Sequence, residues 1–584
     1  MKTKKPNPGA AESQIASPPA SPMPWMPWAV AAAALVVLLW AYGPVMHSVF
    51  LFDDTKQMFA LPSATEPLGS WLGQVRPALM FTYWVNTLIS LEDTTSYHVF
   101  NLLIHALTAL FVWLALRRLL EWAEVEESRR APFAAFGALL FLFHPLQTES
   151  VAYISGRSES LCGMFAAASF AAFVCRRTAA ISWGTTLLVV ALFGAAVLSK
   201  EQAVVLPVLF LLTDLWWNQA WNKEGALRAT LANWKLYALL LAGAAMGVWR
   251  FWELILGRNT GGSAGFSLKD FTWYQYLFTE FRAIVTYAVN FLFPAQLNVD
   301  WTFPISHTIF EYGAIAYLVL LVALAAAAWW FRKSFPLAGY GYLLFLVLLS
   351  PTSSILPIQD PIADRRMYLP SVGLILVAID LLRRLQLERK ALIACGAVLL
   401  LVAAAATHAR AEVWSEPVSL WQDTERKSPE KVRAHFQLGF AYFEQGRFDL
   451  AVTEFEKTAS LRPPTADLLL DWGLAYDGLH QPELALAKLR EAAKLEPSAQ
   501  VYTQLAKVYA GSERWPEALD ALASAEKADP RYPITYVFRG KIFLKSNRAA
   551  DAIAEYQKAL AIDPRVQDGQ HDLAIAQAML RTGK

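Results

Sequence analysis

The 584-residue chain is 55% hydrophobic and only 17% charged, with 22 tryptophans and a mean hydropathy of +0.32, against roughly 25% charged for an ordinary soluble domain. These values exclude a simple soluble globular protein and mark a polytopic membrane protein with a further domain attached. The formal net charge of +2 is nearly balanced, so nothing points to nucleic acid as a partner.

Residues 1–24 form a basic, Pro/Ser/Ala-rich tail of the kind expected to be disordered. The apolar segment that follows is too long for a secretory leader and reads as an uncleaved anchor. No Asp, Glu, Lys or Arg occurs between Ser13 and Phe52, and charge-free runs recur at 99–116, 131–148, 160–175, 178–199, 312–331, 335–359 and 391–409. About 17–25 such residues suffice to span hydrocarbon as a helix. The shorter stretches 202–217, 234–249 and 367–382 carry a charge near one end and are also expected to cross. Cys162, Cys175 and Cys395 lie in apolar segments, where packing is expected of them and neither a disulfide nor a metal site. The tryptophans suit the interfacial belts of a membrane protein.

Near residue 412 the composition turns mixed and charged, and a period appears. Pro463, Pro497, Pro530 and Pro564 are spaced 34, 33 and 34 apart. In register with them stand Gly439, Gly473, Ala506 and Gly540, then Tyr442, Tyr476, Tyr509 and Phe543, then Ala451, Ala485, Ala518 and Ala552. This is the tetratricopeptide pattern, a helix hairpin whose small residues permit close packing and whose Pro ends the second helix. Stacked hairpins make an α-solenoid with a concave surface, ordinarily a protein-binding module.

Lys and Arg placement sets orientation, because cytoplasmic loops carry the excess. Lys2, Lys4 and Lys5 put the N-terminus inside, followed by Arg117, Arg118, Arg129 and Arg130, then Arg176 and Arg177, then Lys223, Arg228 and Lys235. If 283–299 lies along the interface without crossing, Arg332, Lys333, Arg383, Arg384, Arg389 and Lys390 are inside as well. That gives about eleven crossings and an external solenoid. The expected fold is all-α: tail 1–24, a membrane helical bundle over 25–411, and the repeat solenoid over 412–584.

The same topology brings FDDTKQ, HPLQTESVAYISGRSES, SKEQ and DPIADRRMYLP to the outer ends of their helices. Charged groups at membrane depth mark functional sites by default, and the set here is Asp53, Asp54, Arg76, Glu149, Arg157, Glu159, Lys200, Glu201, Asp364, Arg365 and Arg366. Carboxylates suit deprotonation of a hydroxyl nucleophile. Arginines suit a phosphate and its leaving-group charge. Together they describe transfer from a phosphate-activated donor to an acceptor hydroxyl, and outside the cell, where nucleotides are scarce, the donor would be lipid-linked. Two adjacent ionised acids repel, so one of Asp53 and Asp54 is expected to have a raised pKa. His98, His105 and His144 lack a metal-binding spacing and read as packing or hydrogen-bonding residues.

FLFDDTKQM, VRPALMFTYWVNTLIS, YHVFNLLIHAL, FHPLQTESVAYISGRSESL, LSKEQAVVLPVLFLLTDL and DRRMYLPSVG, followed by the repeats, resemble the TMTC family of transmembrane protein O-mannosyltransferases. The resemblance implies a C-type glycosyltransferase fold, a polyprenyl- or dolichyl-phosphate sugar donor, and inverting transfer, with mannose the first guess, to Ser or Thr of a protein. It puts the family's acidic pair on Asp53 and Asp54, with Asp53 ahead as general base and Asp54 orienting the acceptor or supplementing the base. It implies substrate binding by Arg76, His144, Glu149, Arg157, Glu159, Lys200, Glu201, Arg365 and Tyr368, with Arg157 and Arg365 for the lipid phosphate and the repeats holding the protein acceptor. Whether a divalent metal helps is open.

Two departures stand out. Gln147 replaces the second His of HPxHTE, and 257–304 keeps only fragments such as NVDW and Arg282. The absence of any Asn-x-Ser/Thr sequon favours a bacterial inner membrane with an undecaprenyl-type carrier and periplasmic repeats. In a eukaryote the repeats would face the ER lumen. The rival readings are a degenerate membrane-anchored scaffold, and the same fold acting on a lipid or polysaccharide.

Overall fold

The computed structural model describes residues 25–91, 93–176, 180–218, 223–255, 264–266, 268–386, 388–566 and 568–582. The tail 1–24, Arg177 and part of 257–304 lie outside them. Among the described residues the chain is all-helical, with one isolated bridge between Ala264 and Ile358.

The bundle has two chemically distinct ends. Helices Thr95–Trp122 and Arg157–Val174 start together, where Arg157 donates to the Tyr97 carbonyl at 2.9 Å, and finish together, where Arg118 Nε donates to the Val174 carbonyl at 3.3 Å. Ser371–Leu382 runs the same way, while Trp183–Ser199, Pro336–Leu349 and Arg389–Val413 run back. Among the described residues, Arg118, Arg176, Arg383 and Arg384 of the basic clusters gather at the finishing end. There Arg176 pairs with Asp214 at 2.7 Å, Asn233 and Tyr237 donate to the same carboxylate, and Arg383 pairs with Asp380 at 2.6 Å. The other end carries the four polar segments.

Among the described residues three helices are by themselves long and apolar enough to cross a bilayer: Thr95–Trp122, Glu311–Trp330 and Lys390–Val413. The bent pair Glu127–Phe143 and Pro145–Ala152 would make a fourth. Only 11% of the apolar window of Glu311–Trp330 and 17% of that of Lys390–Val413 is covered by protein. Apolar surface on that scale needs an apolar solvent, which makes the bundle a membrane-protein bundle.

Helix Trp273–Leu292 stays at the polar end. Near its start Tyr276 donates to the Thr352 carbonyl at 2.5 Å, further along Tyr287 Oη accepts from the Ala363 N–H at 3.0 Å, and near its finish the Phe291 carbonyl accepts from His144 at 2.9 Å. A 20-residue helix is about 30 Å long, so contacts with that end at both extremities mean that it lies along the end and does not traverse the bundle.

The repeats are built as the period requires. In each hairpin a left-handed residue follows the first helix: Gly446, His480, Glu513 and Asn547, with φ of 71°, 57°, 60° and 57°. The next N–H reaches back to the carbonyl of Tyr442, Tyr476, Tyr509 or Phe543, at 2.9 Å in every case, closing the helix with a Schellman bond. The conserved-register aromatics therefore sit where each first helix is capped. A Cβ on Gly439 would stand 2.6 Å from the Phe455 ring, so glycine is what lets the first two repeat helices approach.

Bundle and solenoid are tied at their junction. Ser428 accepts from Asn298 at 2.9 Å and from the Thr302 N–H at 3.0 Å, and Lys427 donates to the Leu297 carbonyl at 2.7 Å. Arg433 grips Asp300 with two bonds of 2.6 Å and reaches Asp360 at 3.1 Å. The NVDW fragment is thus the docking strip for the repeats. Arg282, the other remnant of that region, lies between the Phe303 and Tyr312 rings, 4.6 Å from each centroid, and donates to the Pro304 carbonyl.

Candidate functional site

The four polar segments meet through side-chain bonds. Asp54 of the first accepts from the Ser155 N–H (2.8 Å) and hydroxyl (2.5 Å) of the second. Glu159 of the second takes bonds from Lys200 and Gln202 of the third. Glu149 of the second pairs with Arg365 of the fourth at 2.6 Å. Arg76, at the mouth of helix Pro77–Ile89, forks onto Glu201 with bonds of 3.0 and 2.7 Å. Gly156 allows the second segment to fold on itself, since a Cβ there would lie 2.5 Å from the Glu149 carbonyl.

The adjacent acids have different surroundings. Asp54 is 1% exposed and takes a third bond from the Leu51 N–H at 3.1 Å. Burial pushes its carboxyl up to about 7 against the pull of the Ser155 and Leu51 donors. Asp53 is half-buried. Its N–H donates to Tyr153 Oη at 3.0 Å, and among the described residues its carboxylate has no hydrogen-bond or ion-pair partner. Of the two expected roles, Asp54 is therefore occupied with tying the first segment to the second and does not face outward to orient an acceptor. Phe52, directly before Asp53, has φ of 50°, a left-handed conformation that costs a side-chain-bearing residue about 1–2 kcal/mol.

The arginines divide in the same way. Arg157 is fully buried. It donates to Asn101 (2.7 Å), Asn86 (2.6 Å), Thr82 (3.3 Å) and the Tyr97 carbonyl (2.9 Å), under the Tyr83 ring at 4.7 Å. A guanidinium enclosed on all its nitrogens has no edge for a lipid phosphate, and this corrects the role expected of Arg157. It pins three helices. Arg365 is about one-third exposed, and among the described residues its guanidinium is held by Glu149, which accepts from its Nη1 and from its backbone N–H at 3.0 Å. Arg76 is similarly open, at 31%. Arg366 is spent on the carbonyls of Pro361 and Asp360.

His144 accepts from the Leu146 N–H at 3.2 Å, donates to the Phe291 carbonyl and stacks on the Phe291 ring at 4.8 Å. Both of its ring nitrogens are engaged in holding the loop. Tyr368 is 1% exposed and bonded to His105 at 2.9 Å and Thr108 at 3.2 Å, again a positioning role. Gln147, at the departure from HPxHTE, donates to Ser371 at 3.0 Å. Asp364 accepts from the Asn298 N–H at 2.7 Å, and its other oxygen is buried with no hydrogen-bond partner among the described residues. Among the described residues no group of three His, Cys, Asp or Glu side chains gathers as for a metal. Tyr153, Ser155, Asn86 and Asn101 carry neither a charge nor a spacing signal, although all four lie inside the quoted segments.

Fold and site together define a membrane protein whose bundle ends in a charged, loop-built centre and continues into a tetratricopeptide solenoid. The tetratricopeptide-repeat family profiles match residues 432–465, 470–533 and 503–566. Over most of its length the chain is homologous to proteins named protein O-mannosyl-transferase, as the quoted segments lead one to expect. TMTC3 of Mus musculus is 23% identical over 558 residues, covering 87% of this chain and 59% of that protein. F38B6.6 of Caenorhabditis elegans is 25% identical over 64% of this chain and 51% of its own length. Tmtc3 of Drosophila melanogaster is 25% identical over 81% and 59%. The chain spans about three-fifths of the length of the TMTC3 relatives it matches. A solved structure described as "Crystal structure of MamA" is 20% identical over 25% of this chain and 87% of that one, with a TM-score of 0.24.

Proposed function

We propose that this protein is a membrane glycosyltransferase that moves a sugar, mannose by the names of its relatives, from a polyprenyl-phosphate donor to a Ser or Thr hydroxyl of an external protein acceptor. The observation that carries this is the division between the acids: Asp53 keeps a free carboxylate on a loop that Asp54 fastens from behind. Asp53 takes the proton of the acceptor hydroxyl as its oxygen attacks the anomeric carbon. The bond from that carbon to the donor phosphate breaks on the opposite face, so the anomeric configuration inverts and the lipid phosphate leaves with the electron pair. Arg365, steered by Glu149, meets the leaving phosphate's charge, with Arg76 as the second cation. Lys200, Glu201 and Glu159 order the loop between them.

In this reading the bundle crosses the membrane about eleven times with the N-terminus cytoplasmic, a bacterial inner membrane is the favoured setting, and the solenoid holds an extended acceptor chain on the side of the site. The test compares Asp53→Asn with deletion of residues 432–584 in the native host, reading protein glycans by mass spectrometry. Loss of one sugar from the same proteins in both strains is expected. Unchanged glycans in Asp53→Asn, with a phenotype only on repeat deletion, would leave a scaffold and not an enzyme.

A further inference from the structure

Phe52 holds an aromatic side chain in a backbone conformation that such residues rarely adopt, at the position next to Asp53. Strain of this kind persists only where surrounding contacts over-determine it. Besides the Tyr153 ring of the second segment, 6.4 Å away, the contacts come from residues after the membrane bundle. Trp421, 2% exposed in helix Pro417–Lys427, packs edge-on against the Phe52 ring with centroids 5.3 Å apart. The Arg433 guanidinium of the first repeat helix lies 5.7 Å from the same ring, fixed there by its bonds to Asp300 and Asp360. Tyr153, whose hydroxyl receives the Asp53 N–H, packs on Trp414 at 5.4 Å. The short turn bearing Asp53 is therefore held on both sides by the junction that carries the solenoid.

We infer that Phe52 is a positioning residue for Asp53, clamped by Trp421 and Arg433, so that the seated solenoid completes the loop carrying the proposed base. The inference rests on the glycosyltransferase reading for what Asp53 does, and on the packing alone for what holds it. It gives the repeats a second task besides holding an acceptor: a solenoid displaced from its seat releases Phe52 and takes Asp53 out of line. Misplacement of a reacting group by about 1 Å can cost about a hundredfold in rate.

The test uses the full-length protein in detergent with radiolabelled polyprenyl-phosphate mannose as donor and host envelope proteins as acceptor. Phe52→Gly removes the ring while its backbone takes the left-handed conformation freely, so a loss in this variant comes from the missing ring contacts and not from added backbone strain. It is expected to lower kcat about a hundredfold with the donor KM unchanged. Trp421→Phe is expected to keep most of the rate and Trp421→Ala to lose it. Hydrogen exchange at the amides of Asp53 and Asp54 gives a readout independent of catalysis, rising in Trp421→Ala and Phe52→Gly but not in Trp421→Phe. Unchanged exchange in Phe52→Gly, or a native kcat there, overturns the clamp. If exchange rises as expected but the native protein itself transfers no sugar, the clamp stands and the glycosyltransferase reading falls.

Discussion

Glu149 holds Arg365 at two points, accepting from its backbone N–H at 3.0 Å and from its guanidinium Nη1 at 2.6 Å. One carboxylate thus fixes both where the arginine starts and which way its head points, leaving the remaining guanidinium nitrogens for a ligand. A charged hydrogen bond of this kind is worth about 1.5–3 kcal/mol. Glu149→Gln is accordingly expected to raise the donor KM roughly 10- to 100-fold, as is Arg365→Lys, which loses the planar fork. Donor titration with membranes of each variant measures it, and an unaltered KM in both removes Arg365 from the site.

Arg157 should behave in the opposite way. Removing it strands the Asn86, Asn101 and Tyr97 acceptors in the interior, at about 1–3 kcal/mol for each group left unpaired. We expect Arg157→Ala to lower the thermal midpoint or the yield of folded protein sharply, and Arg157→Lys to rescue it only in part. A well-folded Arg157→Ala with a raised donor KM would return the phosphate role to this residue.

Asp54 links pH to the shape of the loop. Its carboxyl is pushed up to about 7 by burial, yet the ionised form is the one that accepts from Leu51 and both donors of Ser155. Protonation loosens those bonds, so the transfer rate is expected to rise with pH through about 7. Asp54→Asn should be slow and should lack that rise. A native pH profile in Asp54→Asn would show that the rise belongs to another group.

Asp364 makes a prediction about stability. Burial, then repulsion from Glu149, raises its carboxyl from an ordinary 3.8 to about 7. Between those values the folded chain binds the proton more tightly than the unfolded one. Its contribution is therefore complete below the unfolded value and is lost as pH rises through about 7. Asp364→Asn keeps an oxygen for the Asn298 N–H and carries no charge. Thermal midpoints in detergent should fall more steeply between about pH 5 and pH 8 in the native protein than in Asp364→Asn, and parallel curves would sink the assignment.

The amino-acid sequence determined this protein's elements and its division because those rest on local chemistry. Charge-free runs, the 33–34-residue period and the lysine and arginine clusters are each legible within a window no longer than one or two helices. The same windows named the polar segments that meet, whereas the placement of 283–299 depended on the basic clusters of the whole chain. Side-chain commitments were not legible. Asp53 and Asp54 are identical neighbours in the chain, and only the arrival of Ser155, a hundred residues away, separates a buried fastening acid from a free one. Arg157 and Arg365 read alike as cations at membrane depth. Tertiary packing encloses one among Asn86, Asn101 and Tyr97 and leaves the other open beside Glu149. The grip of Trp421 and Arg433 on Phe52 is likewise a product of docking, since they stand 369 and 381 positions from it in the chain and meet it where the NVDW strip seats the solenoid. Pattern fixes which groups a segment supplies, whereas burial and the hydrogen-bond partners supplied by distant segments decide which of them stay free for chemistry.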